Sequence, residues 1–291
     1  MSSFRLAHLS DLHFSDVDFD FNQFFSKRWV GNFNFLLRRK KDFQYSHLDS
    51  LPSILRKQGV QLTLISGDLT CTSTEAEFQK GCQFVKALQN EGLEVVVIPG
   101  NHDHYTKEAY KSKIFYQFFP SQHENCSWNL KEHQIATKHI QGSWWMILLD
   151  TTLATPLFCC QGKFSEELEK NLKDALSSLP KDAQILLANH FPIQGTKHKP
   201  DLQRESALLD ILKKDPRIKC YLHGHNHRNT VLDRRKDGFP ISVDAGSTTH
   251  KTRGSFTVMD CQERGVSILP FFWDVKKSSW EPQETTNSFT W

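Results

Sequence analysis

Hydrophobic residues in this chain fall into short runs rich in leucine, isoleucine and valine, and each run stops in a knot of polar residues. Seven stand out: "FRLAHLSDLH" from Phe4, "QLTLISGD" from Gln61, "LEVVVIPGNHD" from Leu93, "WWMILLDTT" from Trp144, "QILLANH" from Gln184, "IKCYLHGHNH" from Ile218 and "FPISVDAGSTT" from Phe239. Apolar stretches this short, bounded by Gly, Pro or Asn, predict buried strands. Between them the apolar spacing turns helical. Glu75 to Gln89 carries Phe78, Cys82, Val85 and Leu88 on one face, and Leu202 to Leu212 groups Leu208, Leu209 and Leu212. Ser165 is a natural N-cap for a helix from Ser165 to Leu179. Strands alternating with helices predict an α/β fold whose sites collect beyond the carboxyl ends of the strands. With no internal repeat or low-complexity linker, one domain over residues 1–291 is expected.

Two stretches break the rhythm. Ser15 to Ser50 is too long for a plain connection. It contains "FDFNQFFSKRWVGNFNFLLRRKK", with six basic residues from Lys27 to Lys41 and no acid among them. One reading is a helical hairpin packed on the core with its Lys and Arg in solvent. The other is an aromatic-basic lid or membrane-facing segment, with Trp29, Phe33, Phe35, Leu36 and Leu37 entering a lipid boundary and Arg28, Arg38 and Arg39 meeting anionic headgroups. The polar stretch from Trp273 onward has scattered tryptophans and no assignable element.

Composition narrows the class. Lys plus Arg is 36 against 33 for Asp plus Glu, a net charge of +3, too weak a bias to imply nucleic acid. Seven cysteines without a Cys-x-x-Cys pair favour a reducing compartment over a disulfide framework or structural zinc. The N-terminus reaches polar residues too soon for a signal peptide, and no window approaches the roughly 18 apolar residues of a spanning helix. A cytoplasmic-type protein, free or peripherally attached, is expected.

The strand ends carry the chemistry. Asp11 and His13 stand at i, i+2, so an extended backbone would send both side chains to one face. Asp68 follows Gly67, Asn101 and His102 follow Gly100, and His190, His225 and His227 close the later runs. If these ends lie side by side, seven oxygen and nitrogen donors, all but His102, converge. Carboxylate, imidazole and amide without thiolate suit Mn, Fe, Zn or Mg. Seven are too many for one open catalytic metal and divide naturally around two, with one aspartate shared.

This set resembles the calcineurin-like metallophosphoesterase family, whose motifs occur here in order: "DLH" at 11, "GD" at 67, "GNHD" at 100, the lone His190 and "GHNH" at 224. The resemblance implies a four-layer sandwich, two mixed β-sheets flanked by helices. It also implies two divalent ions, Mn²⁺ foremost, held by Asp11, His13, Asp68 and His227 and by Asp68, Asn101, His190 and His225. Two such ions outweigh the two carboxylates, so the site stays positive towards a phosphate. His102 would face the substrate as general acid or positive stabiliser, with Asp103 fixing its tautomer.

Other residues take plainer readings. His8 is expected buried in the first strand, His223 beside a ligand, His104 exposed at its turn or, alternatively, lining the pocket, and Cys71 a small packing residue. Purple acid phosphatases resemble the family but carry a ligand tyrosine at the position of Cys71, which disfavours a ferric centre.

For the substrate, "GDLTCTS" lacks the aspartate-arginine-glycine run of serine/threonine protein phosphatases. "GDLT" followed by "PGNHD" resembles cyclic-nucleotide phosphodiesterases and the bacterial enzymes that cleave UDP-2,3-diacylglucosamine in lipid A synthesis. The long aromatic-basic segment favours the latter, in their longer chlamydial form. That resemblance implies release of UMP and 2,3-diacylglucosamine 1-phosphate from a nucleotide-diphospho-lipid at the inner face of the cytoplasmic membrane, with Arg28, Arg38, Arg39, Trp29 and Phe33 at the substrate. A nuclease and a non-catalytic scaffold of the same fold are the rival readings.

Overall fold

The computed structural model describes residues 3–16, 42–122, 128–154, 159–193 and 201–291. All seven apolar runs are strands: β1 (Phe4–Leu9), β2 (Leu62–Ile65), β3 (Glu94–Val97), β5 (Trp144–Leu149), β7 (Gln184–Ala188), β9 (Ile218–His223) and β11 (Ile241–Ala245). Their near-continuous apolar character has a direct cause, because parallel strands inside a layered fold are covered on both faces.

Two mixed sheets result. In the first, β1, β2 and β3 run parallel. The sheet continues antiparallel from β1 through β12 (Ser255–Gln262) and β13 (Gly265–Asp274) to β14 (Ser279–Pro282), while β15 (Asn287–Thr290) pairs with β13. In the second, β5, β7, β9 and β11 are parallel. The antiparallel edge strands there are β4 (Ile135–Gln141) and β10 (Asn229–Leu232). A two-stranded ribbon joins β6 (Gly162–Lys163) to β8 (Leu202–Gln203).

Side-chain alternation builds the layers. Leu6, Leu62, Leu64 and Val96 of the first sheet meet Leu148, Leu186, Leu222 and Val243 of the second in a shared inter-sheet core. The opposite faces pack on helices. Ala7, Leu9 and Ile65 pack with α1 (Leu51–Lys57) and α2 (Glu75–Asn90). Ile147, Leu187 and Tyr221 pack with α6 (Glu166–Ser178) and α7 (Glu205–Lys214). Three shorter helices, α3 (Lys107–Ser112), α4 (Phe115–Phe118) and α5 (Leu130–His133), lie between β3 and β4. This helix–sheet–sheet–helix order is the four-layer arrangement expected.

Local signals account for the helix starts. Thr74 and Glu77 form a reciprocal capping box on α2, worth about 0.5–2 kcal/mol. The Ser165 hydroxyl accepts the Leu168 N–H at 3.1 Å and caps α6. Two expectations shift. The helix read from Leu202 begins at Glu205, because Leu202 and Gln203 pair with β6. The unassigned stretch from Trp273 becomes the end of β13 together with β14 and β15.

Of the long segment between β1 and β2, the described part after Asp42 places Phe43 in a bridge with His250 and Tyr45–Leu48 in a 3₁₀ turn. The lid reading, with Arg28, Trp29, Phe33, Arg38 and Arg39, falls outside the described residues. No helix among the described residues is long and apolar enough to cross a membrane.

Candidate dinuclear metal centre

The ligand candidates sit just beyond β1, β2 and β3 of one sheet and β7 and β9 of the other, so all five loops reach one edge of the sandwich. The way the side chains converge differs from the extended spacing expected. Asp11, His13, Asp68, His225 and His227 all have positive φ, between 47° and 73°. Non-glycine residues rarely adopt this conformation, and it concentrates at functional sites. Alternate left-handed residues, rather than a straight strand, turn Asp11 with His13 and His225 with His227 inward.

Close packing explains the glycines of the motifs. A Cβ on Gly100 would overlap the Asp68 carboxylate and backbone nitrogen, and one on Gly224 would overlap Ser10 Oγ and Asp11 Oδ2. Gly100 and Gly224 thus let neighbouring loops approach within reach of a common centre.

Two donor clusters form. In one, His227 Nε2 lies 3.1 Å and His13 Nε2 3.5 Å from Asp11 Oδ1, with the two imidazole nitrogens 3.0 Å apart. In the other, His190 Nε2 lies 3.4 Å from Asp68 Oδ2 and 3.2 Å from Asn101 Oδ1, and His225 Nδ1 lies 2.9 Å from that same amide oxygen. Asp68 connects them, its Oδ2 being 3.8 Å from His13 Nε2. All seven predicted donors are brought together. Asp11, His13 and His227 form one group able to hold a metal ion and Asp68, His190 and His225 another, while His102 makes a third with His13 and Asp68. Asn101 Oδ1 joins through His190 and His225.

The donor chemistry fits cations. Asp11 Oδ1 is buried without a hydrogen-bond partner, an arrangement costly for a carboxylate oxygen unless a cation faces it. His190 Nδ1–H donates to the Ser66 carbonyl at 2.8 Å, which turns the Nε2 position towards Asp68 and Asn101. Backbone carbonyls commonly fix metal-binding imidazoles in this way. Burial alone would lower the His190 pKa, but Asp68 and then Asp11 outweigh it and push it up to about 10. Burial would likewise raise Asp11 and Asp68, yet His227 and His13 around the first and His190 and His102 around the second hold both below the ordinary carboxylate range. The two carboxylates therefore favour positive charge at His190 against desolvation, whereas burial wins at His13 and lowers its pKa. His225, by contrast, is pushed down to about 4 by burial and by His190.

His102 stands at the rim. Its backbone N–H donates to Asp68 Oδ1 at 2.8 Å, and its ring stacks on Tyr105 with centroids 5.3 Å apart. The expected role of Asp103 is corrected here. Nδ1–H of His102 donates to the Cys71 carbonyl at 2.6 Å, so a backbone oxygen fixes this tautomer. The buried Asp103 carboxylate instead accepts the N–H groups of Leu69, Thr70 and Gly100 and the Thr70 hydroxyl, at 2.9–3.2 Å. It ties the Asp68 loop to the Asn101 loop. Sequence order alone put Asp103 beside His102; the turn aims it the other way.

The remaining histidines divide. His8 is buried and bonded to Ser66 Oγ, as expected. His223 meets Gly224 O and Ser242 Oγ. His104, expected at the exposed turn, is buried against Thr152. Cys71 is buried, its thiol 3.0 Å from the His13 carbonyl. Sequence reasoning missed Phe43, whose ring lies 4.9 Å from that of His13. It also missed the loop after β11, where Ser247 Oγ and Thr249 Oγ1 donate to the carbonyls of Asp11 and Leu12, each at 2.7 Å. Only the run "GSTT" hinted at those hydroxyls.

The Calcineurin-like phosphoesterase family profile matches residues 4–229, which span every ligand candidate. Among solved structures, a dimetal phosphatase from Danio rerio is similar at 13% identity and TM-score 0.63, over 99% of this chain and 98% of that one. Purple acid phosphatase PPD1 from yellow lupin (Lupinus luteus) seeds matches at 12% identity and TM-score 0.63, over 99% of this chain and 54% of that one. PhoD matches at 11% identity and TM-score 0.60, over 99% and 72%. At these identities the likeness concerns the fold. Comparison with curated proteins gives no match. The family match, covering most of the chain and all five ligand loops, makes this protein a member of the calcineurin-like phosphoesterases and a metal-dependent phosphoester hydrolase.

Proposed function

We propose that the chain hydrolyses a phosphoric anhydride or diester at two divalent ions, manganese foremost. Asp11, His13, Asp68 and His227 would hold one ion, and Asp68, Asn101, His190 and His225 the other. The observation that carries this reading is the convergence of two imidazole nitrogens on the buried Asp11 Oδ1, beside a second cluster that shares Asp68. Bound there, the ions supply Lewis acidity towards the phosphoryl oxygens and lower the pKa of a water.

The chain's own groups do the rest. His102, held by Cys71 O and by Tyr105, is placed to stabilise or protonate the leaving oxygen. Its Nδ1–H donates to a carbonyl, so Nε2 would be the atom that carries that proton.

Within this class we assign the substrate to nucleotide-diphospho-lipids, with UDP-2,3-diacylglucosamine as the specific candidate and UMP as one product. Two features support the assignment. The aromatic-basic segment begins a few residues after His13. A largely apolar groove of about 450 Å³, lined by Phe14, Tyr45, Leu48, Pro52 and Phe84, adjoins the same loop, and Tyr45 O–H donates to the His13 carbonyl at 2.8 Å. An acyl chain needs such a surface near the hydrolysed phosphorus. Peripheral attachment to the inner face of the cytoplasmic membrane follows from this substrate.

The test is release of UMP from the lipid by the Mn²⁺-loaded protein, alongside turnover of bis(p-nitrophenyl) phosphate and co-sedimentation with anionic liposomes. Turnover of the diester with no UMP release would retain the hydrolase and overturn the lipid substrate. Absence of both, with no metal uptake, would overturn the whole reading.

A further inference from the structure

The run "WWMILLDTT" ends in polar residues like the ligand-bearing strands, yet Asp150, Thr151 and Thr152 belong to neither donor cluster. All three are buried, and their hydrogen bonds lead to the two loops that supply ligands from opposite sheets.

Thr152 serves the first sheet. Its hydroxyl donates to Asp150 Oδ1 at 2.5 Å, an oxygen that also accepts the Thr152 N–H at 3.0 Å. Tyr116 O–H fixes the other carboxylate oxygen at 2.6 Å. The single hydroxyl hydrogen of Thr152 being committed to a carboxylate, its lone pairs face His104 Nδ1 at 2.6 Å and must accept from it. His104 thus carries its hydrogen on Nδ1, and its buried Nε2 has no hydrogen-bond partner. His104 lies three residues after Asn101 in the loop that follows β3.

Thr151 serves the second sheet. Its hydroxyl donates to Asn189 Oδ1 at 2.7 Å, and Asn189 Nδ2 donates to Tyr221 O–H at 3.0 Å. Tyr221 O–H in turn donates to the Phe191 carbonyl at 2.7 Å. Asn189 and Phe191 flank His190, so this branch holds the His190 backbone from both sides.

One peptide unit fixes the Cα atoms of Thr151 and Thr152 about 3.8 Å apart, yet their hydroxyls bond to different loops. One dipeptide therefore grips the Asn101 loop with one hydroxyl and the His190 loop with the other. The bonds just traced lead to these loops and not to Asp11, His13 or His227. We infer that Thr151 and Thr152 are positioning residues that set the spacing between Asn101 and His190, and so tune the affinity of one metal site of the pair. This rests on the reading above that Asn101 and His190 share an ion.

The test titrates the metal-free full chain with Mn²⁺ by calorimetry and follows it by electron paramagnetic resonance, in wild type, T151V, T152V, T151S and T152S. Valine matches threonine in shape and lacks the hydroxyl. Wild type is expected to bind two ions with an exchange-coupled spectrum. Each valine variant should bind one ion at wild-type affinity and the other roughly 10–100-fold more weakly, as for lost partners of metal ligands, and should show isolated Mn²⁺ at one equivalent. The serine variants should restore coupling. Two wild-type affinities in both valine variants would overturn the inference, and so would a parallel loss at both sites that tracks a lowered Tm. Should T152V fail to fold, T151V alone decides, since it removes the His190 branch and leaves His104 bonded. A wild-type chain that takes up no Mn²⁺ overturns the reading of the centre itself, and the inference with it.

Discussion

The backbone N–H of His225 donates to Asp11 Oδ2 at 2.9 Å, joining residues 214 positions apart. One oxygen of this carboxylate is thereby spent on holding the loop after β9 against the loop after β1. The other, Oδ1, is left facing His13 and His227. A single side chain both closes the two sheets at their ligand edge and aims a donor into the centre. Charge-assisted hydrogen bonds of this kind are about twice as strong as neutral ones, which is why the loops can hold several left-handed residues.

Asp68 makes the corresponding link between the clusters, with Oδ2 towards His190 and His13 and Oδ1 accepting the His102 N–H. Replacing Asp68 with Ala is expected to abolish stoichiometric binding at both sites and turnover together. Metal analysis after Mn²⁺ loading checks this. A variant that keeps two ions and activity would show that Asp68 is not shared.

Gly224 offers a test of packing at the same edge. A methyl group there meets Ser10 Oγ and Asp11 Oδ2, so Gly224→Ala must push the His225 loop away from the first sheet. Overpacking of this kind costs about 1–3 kcal/mol. The expected outcome is a lower Tm with weakened metal uptake, read by thermal denaturation with and without Mn²⁺. An unchanged affinity would show that the loops tolerate a wider gap.

Much of the centre was legible because its parallel strands are apolar on both faces and stop abruptly at Asp11, Asp68, Asn101, His190 and His225. The antiparallel strands were harder to see. β10 and β15 alternate between half-buried and exposed positions over only four residues, a pattern that polar loops also show. β14 is carried by Trp280, which packs on Phe256 across the sheet, a long-range contact that local spacing cannot reveal. The roles of Asp103 and His104 were illegible for a related reason. Which way a side chain leaves a tight turn depends on the loop packed against it, here the Leu69–Thr70 backbone for one and Thr152 for the other.

Acid should destabilise the fold through buried neutral histidines. His47, fully buried and stacked on Trp273 with centroids 3.9 Å apart, is pushed down to about 4 by burial, and burial likewise pushes His8 down to about 3. Unfolded histidines titrate near 6.5, so below that pH each of these two side chains binds a proton in the unfolded chain and not in the native one. The stability that His47 contributes is then full above pH 6.5 and falls as pH drops towards 4, by about 3 kcal/mol. His47→Phe should flatten the dependence of chemical-denaturation stability on pH between 6.5 and 4.5. An unchanged slope would mean that His47 does not gain its proton on unfolding.

His102 and Asp103 are neighbours in sequence, and their expected phenotypes are opposite. His102→Ala removes a rim imidazole whose nitrogen lies within 4.8 Å of the donor atoms of His13 and Asp68. It should lower kcat by about 10²–10⁴ while both ions stay bound, as for a lost acid catalyst; loss of an ion would make His102 a ligand. Asp103→Asn leaves the His102 ring bonded to Cys71 O. It brings an amide NH₂ against donors now satisfied by a carboxylate, at a cost of about 1–3 kcal/mol for buried groups left unpaired. Tm and metal affinity should fall while the acidic limb of the pH–rate profile stays in place. Were Asp103 instead the partner that orients His102, the same substitution would shift that limb and spare the Tm. Measuring both quantities on both variants separates a group that handles protons from one that ties two loops together.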